Sequence, residues 1–188
     1  MTMWRFFDER ARNSVRHQAA FNLLRREPLT QEEHLMEMPK PGPGHLKLEI
    51  LAGNWVGEEK MYPSQWDPKG GTAVGRTKNW LALGGFVLLS DYEQERDGVI
   101  TFSGHGVMSF DPEKELYAFY WFDCMGSPPE VFEGRFDGGI LTIAHGGPGM
   151  HARFTYDMSE PPYMVTQMEM SQDGTEWKTL FEGRYERI

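Results

Sequence analysis

From Asn54 to the C-terminus the chain breaks into short runs of alternating apolar and polar residues, each closed by a turn signal. Ten such runs can be drawn, over 54–62, 72–82, 85–95, 99–110, 115–124, 129–136, 139–145, 150–157, 163–171 and 176–187. The breaks between them, among them AspProLysGlyGly, ArgAspGly and GlnAspGlyThr, put Gly, Pro or Asp where tight turns need them. No intervening segment is long enough for the helical crossover that parallel strands require, so the pattern predicts an antiparallel, mainly β fold. Consecutive hairpin-linked strands favour a closed up-and-down barrel, because closure removes unpaired edges. A jelly roll or two-sheet sandwich is the alternative.

The N-terminal part follows a different period. Residues 3–26 hold no Gly or Pro, and Trp4, Phe7, Ala11 and Val15 recur at helical spacing. Pro28 ends that helix, and Thr30 with Glu33 forms a capping box for a second one through about Met38. Residues 39–44, ProLysProGlyProGly, are expected to be a stiff linker that cannot be helical, with a short helix from His45 to Leu51 after it. The expected division is therefore a helical extension and linker over 1–44 and a β-barrel domain over 45–188. An apolar helix face bearing Trp4, Phe6, Phe7, Val15 and Phe21 calls for cover, either on the barrel's outer wall or across a homodimer partner.

Charge narrows the partners. With 19 basic and 28 acidic residues in 188, the net charge of −9 disfavours nucleic acid and anionic membranes. No apolar run reaches the length of a membrane span, and the N-terminus lacks a signal-peptide core. Cys124 is the one cysteine, so no internal disulfide can form. These features predict a cytoplasmic location.

Residues 52–57, AlaGlyAsnTrpValGly, open the first strand: Gly53 allows a sharp entry, and Trp55 is large enough to plug a closed barrel end. Together with LeuGlyGlyPhe at 83–86, GlyHisGlyValMetSerPheAspPro at 104–112 and SerGlnAspGlyThrGluTrp at 171–177, this segment resembles the DUF1579 family, a bacterial family of unknown function. The resemblance spans roughly residues 45–188. That family is similar to the calycins, which include lipocalins, fatty-acid-binding proteins and nitrobindins. Gly53, Trp55, Gly57 and Tyr62-Pro63 match a nitrobindin-like opening. The resemblance implies a barrel with an internal cavity and no particular reaction.

Alternation then assigns faces. Trp55, Gly57, Glu59 and Met61 share one face of the first strand. In the aromatic run, Tyr117, Phe119, Trp121 and Asp123 lie opposite Ala118, Tyr120, Phe122 and Cys124. Met150, Met158, Met164, Met168 and Met170 fall within two adjacent strands and suit either core filling or an adaptable pocket. The expected ligand contacts are Trp55, Glu59, Met61, His105, Trp121 and Met168, and the favoured function is binding of a small apolar or aromatic molecule inside the barrel. The alternative is an enzyme using Glu59, His105 or Glu169 as general acid or base. A third reading is haem binding through one histidine, with His151 as the candidate. His145 and His151 flank one turn and are expected to face each other across a hairpin, but no third metal ligand stands at fixed spacing, so no metal is predicted. No phosphate loop, dinucleotide fingerprint or nucleophile elbow occurs, and no cofactor is named by any motif.

Overall fold

A computed structural model describes residues 38–147 and 149–188. The chain divides into two compact units, Met1–Met38 and Pro39–Ile188, and the described residues belong to the second except for Met38. The expected helices over 3–26 and from Thr30 onward lie outside the described residues.

Each of the ten alternating runs forms one strand: β1 (Gly53–Met61), β2 (Gly71–Ala82), β3 (Val87–Arg96), β4 (Val99–Asp111), β5 (Leu116–Asp123), β6 (Glu130–Asp137), β7 (Ile140–Gly147), β8 (Met150–Asp157), β9 (Tyr163–Ser171) and β10 (Lys178–Arg187). Sequential strands pair antiparallel, and β1 pairs with β10 to close the barrel. The closing register sets Trp55 opposite Arg187, Glu59 opposite Gly183 and Met61 opposite Phe181. No helix among the described residues is long and apolar enough to cross a membrane.

One barrel end is plugged. The short helix α1 (Pro43–Leu46) and a following 3₁₀ turn (Lys47–Leu51) drive Leu48 and Leu51 into the core beside Trp55, all three buried. Here the expectation for residues 39–44 is corrected, because helix begins at Pro43 rather than after the Pro/Gly stretch. Proline is tolerated at a first helical position, where its missing N–H has no intrahelical partner to lose. The plug is tied by polar contacts as well as by burial. The Leu51 carbonyl accepts from the Trp55 indole N–H at 3.1 Å and from Asn79 Nδ2 at 2.9 Å. Asn79 Oδ1 in turn accepts from the Ser90 hydroxyl at 2.6 Å. The Tyr117 hydroxyl donates to the Gly44 carbonyl at 2.7 Å, and Arg187 lies over the Trp55 ring at 4.6 Å.

Inner glycines decide how the large rings fit. A Cβ on Gly104 would overlap the Trp121 indole, and one on Gly106 would overlap the Phe119 ring. Both rings therefore lie across β4 where its inner face has no side chains. This explains the spacing of GlyHisGly at 104–106: the glycines face inward, and His105 between them faces out. An Ala at position 104 must displace the indole, so Gly104→Ala should cost about 1–3 kcal/mol. Gly147→Ala, where a Cβ meets nothing within 4 Å, should change stability by less than about 0.5 kcal/mol. Urea unfolding compares the two, and equal midpoints would contradict this packing.

Candidate functional site

Beyond the plug, the opposite half of the barrel turns a second set of apolar side chains inward. The register places one row of inner residues across five strands: Ile143, Phe154, Met168, Phe181 and Met61 on β7, β8, β9, β10 and β1. On the other side stand Trp121 and Phe102, stacked at 17° with centroids 6.5 Å apart, and Tyr92 at 6.2 Å from the Trp121 centroid. Over the mouth, the β1–β2 loop is tied down by Asp67 accepting from Arg96 at 2.6 Å. That contact is the main reason the Asp67 carboxyl is held below its ordinary range.

Between plug and mouth sits a carboxylate. Glu59 has no exposed surface and accepts from three neutral donors: the Tyr92 hydroxyl at 2.9 Å, Gln94 Nε2 at 2.7 Å and the Tyr185 hydroxyl. None of the ion pairs among the described residues includes it. Space for this cluster comes from glycines again. A Cβ on Gly57 or on Gly183 would come within 2.7 Å of the Tyr185 ring, and one on Gly75 would come within 2.7 Å of Glu59 Oε1. Glycine at these places lets the Tyr185 ring cross the seam and deliver its hydroxyl to Glu59. Burial, followed by the neighbouring Glu59 charge, pushes both the Tyr92 and Tyr185 phenols far above their ordinary 10.0. They act as neutral donors.

The cross-strand row that contains Glu59 continues through Gly183, Thr166 and Tyr156. Thr166 is buried, and its hydroxyl has no partner. Tyr156 packs against the core beside Phe154. Its phenol is pushed up by burial alone, and among the described residues its hydroxyl makes no hydrogen bond.

The structure separates the residues expected to meet a ligand. Glu59, Met61, Trp121 and Met168 lie on the inner face, and Trp55 sits within the plug, 2% exposed. His105 is a correction: it points outward and pairs with Asp91 at 2.7 Å on the solvent side. Glu169 is also on the outer wall, ion-paired with Arg153 at 2.7 Å. His151 faces outward too, because Ala152, Phe154 and Tyr156 take the inner face of β8. Consequently His145 and His151 are not opposite one another: His145 pairs with Ala152, and His151 with Gly146. The inner histidine of the two is His145, whose Nδ1–H donates to the Val131 carbonyl at 2.9 Å. Among the described residues no cluster of three His, Cys, Asp or Glu side chains could hold a metal.

Several members of the site escaped sequence reasoning. Tyr92 and Gln94 alternate with Leu88 and Ser90 on β3, and that inward period was a usable signal. Gly183-Arg-Tyr185 mirrors the glycine-aromatic spacing of β1, but nothing in the sequence alone joins Tyr185 to Glu59. A separate hollow of about 640 Å³ lies on the outer wall, where Lys78, Asp91, Glu93, His105 and Phe122 project from β2 to β5. Trp55, Gly104 and Tyr92, one of the donors to Glu59, also line it.

The closed ten-stranded antiparallel wall, the helical plug and the inward aromatics define a calycin-like barrel. The family described as "Protein of unknown function (DUF1579)" matches residues 40–187, and the chain belongs to that family. Fifteen solved chains match. One is "Crystal Structure of Rv2717c from M. tuberculosis", 13% identical, with a TM-score of 0.57, covering 78% of this chain and 98% of that one. At that identity the likeness concerns the fold alone. No curated protein matches.

The buried phenols set an alkaline limit on stability. Tyr92, Tyr156 and Tyr185 hold their protons in the folded state above the 10.0 at which the unfolded chain releases them. Their contribution is therefore complete below about pH 10 and falls as pH rises further, by about 1.4 kcal/mol per pH unit for each group. Urea midpoints should fall steeply above about pH 10, and the three phenols should ionise only on unfolding. Constant stability through that range, or ionisation of these phenols in the folded protein, would contradict the assignment.

Proposed function

We propose that the protein binds a small, largely apolar or aromatic molecule in the half of the barrel away from the plug. The observation that carries this reading is residual exposure on the inner face. Met61, Phe102, Trp121, Phe154, Met168 and Phe181 point into a closed barrel, yet each keeps partial solvent accessibility. A core packed to crystal density would leave these side chains with none. Rings and thioethers around a few polar groups are the usual lining of a small-molecule site.

The general acid/base reading has less support. Both Glu59 oxygens are occupied by donors, while His105 and Glu169 lie outside the barrel. Haem binding loses its candidate ligand with the outward position of His151. Cys124 is free and exposed, which supports a reducing, cytoplasmic setting.

Nile red, a neutral aromatic dye, provides the test. It should bind with a blue-shifted emission, and Trp121→Ala should weaken binding at least about tenfold, the scale of a lost aromatic contact. Tyr120→Ala and Phe122→Ala, on the exposed outer wall, should leave it unchanged. Urea unfolding of each variant confirms that it is folded. Binding that depends on Tyr120 or Phe122 and ignores Trp121 would overturn the proposal.

A further inference from the structure

We infer that the lumen selects a neutral molecule bearing a hydrogen-bond-accepting oxygen, such as a ketone, quinone or ester, and discriminates against a carboxylate. The inference rests on the reading of the lumen as a binding site and adds the ligand's chemistry.

The polar groups of the inner wall divide into two sets. Those on β1, β3 and β10 satisfy one another, since Tyr92, Gln94 and Tyr185 all donate to Glu59. Those on β8 and β9 do not. Tyr156 and Thr166 are directly opposed across their strands. The Thr166 hydroxyl is unpartnered within a residue only 2% exposed, and the Tyr156 hydroxyl also lacks a partner among the described residues. Buried hydroxyls are nearly always hydrogen-bonded, so the orphaned Thr166 hydroxyl, opposite the half-buried Tyr156, marks a place for a complementary group. Each hydroxyl can donate, and Tyr156, held in its neutral form by burial, is the stronger donor.

Charge decides between acceptors. Glu59 lies on the same row as Tyr156 and Thr166, separated by the side-chain-free Gly183. A ligand carboxylate docked on Tyr156 would bring a second acid into a low-dielectric space beside that one. Among the described residues the charges of Arg96 and Arg187 are already engaged, although Arg96 Nε is buried without a hydrogen-bond partner. Arg96 at the mouth pairs with Asp67 at 2.6 Å, and Arg187 lies over Trp55 at the plugged end, donating to the Ile50 carbonyl at 3.3 Å. A neutral carbonyl meets the two hydroxyls without that repulsion. Its apolar remainder is left to Trp121, Phe154 and Met168.

Displacement of Nile red from the intact protein by methyl decyl ketone, dodecanoate and dodecane tests this. The ketone should bind at least about tenfold more tightly than dodecanoate or dodecane, the effect of one well-made hydrogen bond in a buried site. In Tyr156→Phe, which loses no internal hydrogen bond and should fold normally, the ketone should lose most of its advantage over dodecane, with dodecane unchanged. Equal affinities in the wild type would overturn the inference while leaving the lumenal site intact. Tighter binding of dodecanoate, lost on Arg96→Ala, would overturn it in favour of an acid held at the mouth. Failure of Nile red and all three competitors to bind would remove the underlying site as well.

Discussion

The hydrogen-bonded carboxylate of Glu59 is the contact on which the rest of the barrel depends. It belongs to the first strand, and its donors come from the third and the last. The cluster therefore spans the seam where β10 meets β1, the pairing with the greatest sequence separation in the fold. Removing a carboxylate from water costs several kcal/mol. Hydrogen bonds to a charged group return about 1.5–3 kcal/mol each. Three such donors together are of the size needed to offset that cost. Loss of one tyrosine hydroxyl thus weakens both the acid's burial and the closure.

The glycines follow from that constraint. Gly57, Gly75 and Gly183 surround the path of the Tyr185 ring, and any side chain there would meet the ring, its hydroxyl or Glu59. Gly104 and Gly106 do the same for Trp121 and Phe119. The large inner residues thus lie along the wall instead of standing across the lumen. The plug closes one end with Leu48, Leu51 and Trp55, and the aromatics on the other side of the Glu59 layer keep accessible surface. The Glu59 cluster thus lies between a fully buried plug and inner side chains that keep partial accessibility.

How much of this was legible in the sequence depends on the range of the interaction involved. Period-two alternation and turn chemistry are local, and they located all ten strands. Alternation from Trp55 sets the face of Glu59 and Met61, whereas the aromatic run groups Trp121 with Tyr117 and Phe119 but is apolar on both faces and does not say which turns inward. For His105 and Glu169, chemical interest is not a guide to inwardness. The register shows why: glycines flank His105 because rings from the next strand need their space, and Glu169 follows Met168 onto the opposite face. Pro43 and Gly44 are helical because a proline at the first position forfeits no bond. Tyr185 and Tyr92 were out of reach for a different reason, since their link to Glu59 spans 126 and 33 residues and depends on the closed register.

A crystal structure of the protein with methyl decyl ketone bound would test the central claim most directly, that a polar layer built on Glu59 divides a plugged half from a ligand-binding lumen. Density is expected between Trp121 and Phe154, with the oxygen on Tyr156 and the three donors of Glu59 undisturbed. Density in the outer trough beside Lys78 and His105, with the lumen closed by its own side chains, would contradict it.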